Sequence, residues 1–170
     1  MANIIYTNHF EKIDLFQRLK KEGRIVNTPF RNKVSENSFC FEVGMKPSKT
    51  EEYKERLLQT IKEVFGITNE SFDEKFNQAI NGAGQEWNEL NVFHSSSLLA
   101  LLCFYNVSEE NPLSVEIEGK TCKFTTSEFE VSNIIGKNIR GRNYSSHIDV
   151  KLTGTCEGKS VSLYIESKFS

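Results

Sequence analysis

The sequence predicts an α/β protein of the α+β kind, with helices first and strands last. Three observations predict it. In three stretches before residue 84, over 8–22, 51–65 and 71–80, the apolar side chains recur at helical spacing. The stretch HSSSLLALLCFY is apolar all round, as a buried helix would be. From residue 113 onward the hydrophobic period is two, with glycine turns between the alternating runs.

Each element follows from local pattern. In residues 8–22, Phe10, Ile13, Leu15, Phe16 and Leu19 lie at roughly helical spacing, and Gly23 is a natural stop. Residues 24–46 are mixed: Pro29 and several Asn and Ser residues favour loop, while SFCFEV at 38–43 suits a short strand. Pro47, Ser48, Lys49 and Thr50 open a helix over 51–65, with Tyr53, Leu57, Leu58, Ile61, Val64 and Phe65 on one face and Gly66 at its end. A third helix over 71–80 turns Phe72, Phe76, Ala79 and Ile80 inward, and NGAG at 81–84 breaks the chain. Trp87, Leu90 and Val92 lead into the buried helix at 94–105, which Ser95 or Ser96 can cap and which should be covered on most sides. SVEIEG and KTCKF predict a hairpin turning near Gly119 and Lys120, and SEFEVSNII at 127–135 a further strand. GKNIRGRNYSS at 136–146 reads as a polar, basic loop before a last hairpin that runs from His147 to the end. The division is a helical N-terminal extension, 1–84, and a core, 85–170.

Composition narrows the function classes. A chain of 170 residues holds one ordinary domain, and 38% apolar with 26% charged residues suits a soluble globular protein. A net charge of −2 gives no global basic field, so any nucleic-acid contact must rest on a local patch. Cys40, Cys103, Cys122 and Cys156 form no metal spacing, and Cys103 lies in an apolar run where a buried free thiol is expected. This predicts a reducing, cytoplasmic setting. The N-terminus lacks a basic stretch followed by a long apolar core, so no secretory signal is expected. The most apolar segment, 98–104, is too short to span a bilayer.

The last hairpin carries the chemistry. In its first strand Ile148, Val150 and Leu152 share one side, leaving His147, Asp149 and Lys151 on the other. In its second, Val161, Leu163 and Ile165 oppose Ser162, Tyr164, Glu166 and Lys168. A turn centred between Glu157 and Gly158 keeps the faces pure, and it sets Asp149 across from Glu166 with Lys168 diagonally adjacent. Directly opposed Cβ atoms lie about 4.5–5.5 Å apart, where like charges destabilise. The pair must raise a pKa or recruit a cation. Two arrangements answer that: a hard divalent ion with Lys168 beside it, or plain neutralisation of both acids by Lys151 and Lys168 on a solvated face. Lys137, Arg140 and Arg142, just before the Asp strand, either contact phosphates or belong to a solvated loop. His147 either touches substrate phosphate or is an ordinary surface histidine. Ser95, Ser96 and Ser97 lack the glycines of a nucleophile elbow, and GAG at 82–84 is no phosphate loop.

Asp149 in one strand, Glu166-Ser167-Lys168 in the next and a helix ahead of the sheet together resemble the catalytic core of the PD-(D/E)XK, or restriction-endonuclease-like, nuclease superfamily. HSSSLLALLCFYNVS, FEVSN, HIDVKL and LYIESKFS look like a group of bacterial proteins within it, over about residues 85–170. The resemblance implies a buried helix on a mainly antiparallel or mixed sheet. It implies that Asp149 and Glu166 bind Mg²⁺ (or Mn²⁺), that the Ser167 carbonyl is a further ligand, and that Lys168 is the catalytic lysine. An earlier acid often completes such sites. Glu130 is the candidate, with Glu128 on its face and Glu89 before the buried helix as alternatives. The implied activity is metal-dependent phosphodiester hydrolysis in DNA or RNA, with Lys137, Arg140, Arg142 and His147 binding the nucleic acid. The alternative is a non-catalytic protein-interaction or regulatory module on the same fold. The superfamily core continues past Glu-x-Lys with a helix and another strand, whereas this sequence ends at Ser170. The expectation is therefore a C-terminally truncated core, with cover supplied by a partner or by homo-oligomerisation, and no membrane.

Overall fold

The computed structural model describes residues 14–27, 39–82, 90–93, 95–137 and 143–167, with backbone alone at 133–137 and 143–146. In chain order the elements are α1 (Asp14–Lys21), β1 (Ile25–Asn27), β2 (Phe39–Phe41), α2 (Glu51–Phe65), α3 (Ser71–Ile80), α4 (Ser96–Phe104), β3 (Leu113–Ile117), β4 (Lys120–Lys137), β5 (Asn143–Cys156) and β6 (Lys159–Ile165). Both sheets are antiparallel: the β1–β2 pair, joined by a bridge from Cys40 to Val92, and a meander in the order β3-β4-β5-β6. The chain is thus mixed α and β, with helices before the main sheet.

The helix bounds follow from caps and periodicity. The Thr50 side chain accepts from the Tyr53 amide at 3.3 Å, and Gly66 closes α2 in the left-handed region with φ 66°. Ser95 does the same for α4, accepting from the Leu98 amide at 3.0 Å. The inward faces of α2 and α3 and the strands bury Phe16, Phe41, Leu57, Ile61, Phe72, Phe76, Leu101, Phe124, Val150 and Leu152 in one continuous core.

Several expectations need correction. Residues 24–46 hold β1 as well as β2, because Ile25 is buried on the same core that takes Phe39 and Phe41. KTCKF and SEFEVSNII are one strand, β4; a bulge at Thr125 carries the ladder from Phe124–Gly154 to Thr126–Thr153 without ending it. The stretch 136–146, expected as loop, carries the end of β4 and the start of β5, paired through Lys137–Asn143. Helix α4 is covered on most sides, but one stripe faces outward: Leu99 is 38% exposed and Cys103, expected as a buried thiol, is exposed. Nor are all the cysteines free. Cys122 and Cys156 stand opposite each other across β4 and β5 and form a disulfide, a pairing that sheet register creates and linear spacing does not show. Among the described residues no helix is long and apolar enough to cross a membrane.

Tyr53 is fully buried and its hydroxyl has no hydrogen-bond partner among the described residues. Burial, and then the nearby Cys40, push its pKa far above the ordinary phenol value. A buried unsatisfied hydroxyl costs about 1–3 kcal/mol. Tyr53→Phe keeps the ring and removes that cost, so its melting temperature should equal or exceed that of the unaltered protein; a clear drop would reveal a partner for the hydroxyl.

Candidate functional site

The β5–β6 turn is made by Glu157 (φ 49°) and Gly158 (φ 77°), two successive left-handed residues that suit a two-residue hairpin loop. From there the rungs run from Cys156–Lys159 to Val150–Ile165, the register that alternation predicts. The next rung is Asp149 with Glu166. The ladder stops just short of it, and the chain beyond Ile165 turns so that the Ser167 amide donates to Asp149 Oδ2 at 2.5 Å. Asp149 and Ser167 are half-buried and Glu166 is exposed.

Alternation sorts the two faces of β5. Val150 and Leu152 are fully buried against the helices, while Asp149 and Lys151 lie on the opposite face. Lys151, one of the two lysines that could neutralise the acids, is paired instead with Glu128 across β4 at 3.1 Å. That half of the neutralisation scheme does not form. Lys168, its other half and the expected catalytic lysine, lies outside the described residues, as do Arg140, Arg142 and Glu89. Lys137 pairs with Asn143 at the far end of β4 and β5. His147 is exposed and opposite Ser132.

Glu130 stands level with Asp149, because the β4–β5 rungs on either side are Phe129–Val150 and Val131–Ile148. Register therefore draws Glu130, Asp149 and Glu166 into one line across three strands. Glu130 nevertheless departs from strand geometry: its φ is 51°, a left-handed value that costs a non-glycine residue about 1–3 kcal/mol. A Cβ added to Gly82, just past the end of α3, would lie 2.8 Å from both its Cβ and its Cγ.

The outer edge of β4 explains this contact. Beyond Phe124 no strand among the described residues pairs that edge, since β3 ends there. Helix α3 covers it with side chains: Lys75 Nζ donates to the Ser127 carbonyl at 2.7 Å, and Gln78 Oε1 accepts from the Phe129 amide at 2.9 Å. Lys75 and Gln78, three apart on α3, hold Ser127 and Phe129, and Gly82, just past the end of the helix, lies beside Glu130. Sequence reasoning missed all three. Nothing in the sequence marks Lys75 or Gln78, and only the unpaired edge gives them a task.

The donor set suits a hard cation. Asp149 and Glu166 offer carboxylate oxygens, and Mg²⁺ is commonly held by one or two carboxylates while keeping several waters. A carboxylate has about four acceptor positions, of which the Ser167 amide takes one at Asp149. Among the described residues, no three His, Cys, Asp or Glu side chains gather closely enough to hold a metal by themselves. No family model matches the chain, and no curated protein and no solved structure matches it either.

Proposed function

We propose that the chain is a divalent-cation-dependent phosphodiesterase acting on nucleic acid, with DNA as the substrate. The observation that carries the reading is the β5–β6 register, whose last rung, Val150–Ile165, sets Asp149 level with Glu166 at the start of the Glu-Ser-Lys sequence. On this reading β4, β5 and β6, backed by helices, are the sheet of a restriction-endonuclease-like core. Its support is an aspartate in the middle strand and Glu-x-Lys at the end of the next.

The roles follow from chemistry. Asp149, Glu166 and the Ser167 carbonyl would hold the cation. Bound Mg²⁺ or Mn²⁺ would supply Lewis acidity at the phosphate and a lowered pKa for a bound water. Lys168, next in the chain, would stabilise charge developing on the phosphate and orient the attacking water. Lys137, Arg140, Arg142 and His147 would take neighbouring phosphates, the positioning part of nucleic-acid binding. A cytoplasmic setting belongs to the same proposal, and it requires the Cys122–Cys156 pair to hold against a reducing glutathione poise. So does a second copy or partner chain lying along β6, which is an edge strand with Tyr164 half exposed.

A second reading, a non-catalytic interaction module, is favoured by the use of the Asp149 carboxylate as an acceptor for backbone, a purely structural role. Incubation with linear DNA, single-stranded DNA and RNA in Mg²⁺, Mn²⁺ or chelator separates the two. The hydrolase reading expects cation-dependent cleavage of DNA that Lys168→Ala lowers by about 10²–10³-fold. Absence of cleavage, or equal cleavage by Lys168→Ala, would sink it.

A further inference from the structure

We infer that β6 is a dimerisation edge, along which a second copy of this chain adds its own β6 in antiparallel order, making one sheet across both molecules. The inference rests on the reading that a chain lies along β6, and commits it to a second copy in one register.

The main sheet treats its open edges differently. Unpaired edges invite other strands, and folds blunt them with short strands, charges, kinks or covering elements. β3 is five residues long and carries Glu116. The open edge of β4 is covered by Lys75 at the Ser127 carbonyl and Gln78 at the Phe129 amide, and Glu130 at φ 51° breaks its extended line. β6 has none of these devices. Its sequence, KSVSLYI, holds no proline or glycine, its pairing with β5 has no bulge, and no charge lies between Ser160 and Ile165. Among the described residues nothing hydrogen-bonds to its outer edge. Val161, Leu163 and Ile165 on its core side are only half-buried, whereas Leu152 and Val150, one strand further in, are fully buried. Cover is thinnest where a further strand would lie.

Symmetry selects the register. A two-fold axis normal to the sheet keeps each side chain on its own face when opposed residues share parity. With Leu163 opposite its own copy, Val161 meets the partner's Ile165 and Ser162 meets the partner's Tyr164, so apolar faces apolar on the core side. Centring on Ser162 would instead set Lys159 against the partner's Ile165. The Leu163 register is also complementary in charge. Lys159, exposed at the turn end, comes level with the partner's Ser167 and beside the partner's Glu166, and this contact occurs twice. Parallel addition would set Lys159 beside its own copy. The antiparallel pair is isologous and closes on itself. It also brings a lysine of each chain to the candidate site of the other.

Sedimentation equilibrium of the metal-free protein should give twice the mass of one chain. Ser162 and Tyr164 are both exposed, so charges can be placed there without entering the core. Ser162→Lys/Tyr164→Lys opposes two lysines twice across the pair and should weaken dimerisation by at least about tenfold. Ser162→Lys/Tyr164→Glu opposes each lysine to a carboxylate and should restore the parental strength. Amide exchange of the unaltered protein covers the case in which a variant fails to fold. Alternate amides of 159–165, those pointing away from β5, should be protected in concentrated protein and lose that protection on dilution.

A parent that stays monomeric overturns the inference. So does a dimer that both double variants leave intact or weaken equally, or one whose outer β6 amides exchange freely at every concentration. No nucleic acid or cation enters these measurements, so a monomer refutes the dimer and leaves the cation-site reading to its own cleavage assay.

Discussion

Gly154→Ala should lower stability by more than about 4 kcal/mol, the range reserved for severe steric or core damage. A Cβ at Gly154 would lie 1.9 Å from the Lys123 carbonyl oxygen and 2.5 Å from the Phe124 Cα. Both atoms are backbone, so no rotamer change relieves the clash. Relief requires β4 and β5 to separate beside the Thr125 bulge, at the point where Phe124 is buried in the core and the Cys122–Cys156 disulfide ties the strands together. Gly158→Ala is the control. Its φ of 77° makes alanine cost roughly 1–2 kcal/mol, but nothing lies within 4 Å of the added Cβ. Denaturant unfolding of the two variants under one redox condition should rank Gly154→Ala far below Gly158→Ala. Equal effects would mean that β4 and β5 do not approach as closely as described.

The second large effect concerns Asp149, where charge and hydrogen bonding can be separated. Asp149→Asn keeps a side-chain oxygen to accept from the Ser167 amide and loses the charge, whereas Asp149→Ala loses both. If Asp149 holds a cation, each variant should lose at least about 10²-fold in cation-dependent cleavage, more than the loss of an outer partner typically costs. Stability should separate them: Asn close to the parent, Ala lower by about 0.5–1.5 kcal/mol for the lost hydrogen bond. If Asp149 serves only to anchor the end of β6, Asn should match the parent in every assay. Cleavage rates and unfolding curves measured on the same preparations distinguish the two accounts.

Much of the fold is legible in the sequence where one local rule decides. Helix α2 is framed by Thr50 and Gly66 with an unbroken apolar face, and α3 by its Phe72, Phe76, Ala79 and Ile80 spacing. The β5–β6 register is legible because a slip by one residue would exchange Val150 and Leu152 with Asp149 and Lys151. What alternation could not show depends on contacts between distant segments. KTCKF and SEFEVSNII look like separate strands because the bulge at Thr125 interrupts the period without interrupting the chain. Cys122 and Cys156 meet only through that same β4–β5 pairing, 34 residues apart. Cys103 sits in a helix that is apolar on every side, so no polar stripe marks which side faces solvent.

The candidate site divides the same way. The levels of Asp149 and Glu166 follow from pattern, whereas the left-handed backbone of Glu130 and its nearness to Gly82 are not visible along the sequence. Lys151 illustrates the limit of diagonal reasoning. Its place on the Asp149 face suggests a neutraliser of that acid, yet its direct rung partner is Glu128, and the direct partner takes it.

The central claim is that Asp149 and the Glu166-Ser167 segment form one cation site. Titration of isotope-labelled protein with Mn²⁺, followed by paramagnetic broadening of backbone amides, tests it most directly. The account predicts saturable broadening that begins at Asp149, Val150, Glu166 and Ser167 and disappears in Asp149→Ala. Broadening that spares these residues, or that persists unchanged in Asp149→Ala, would contradict it.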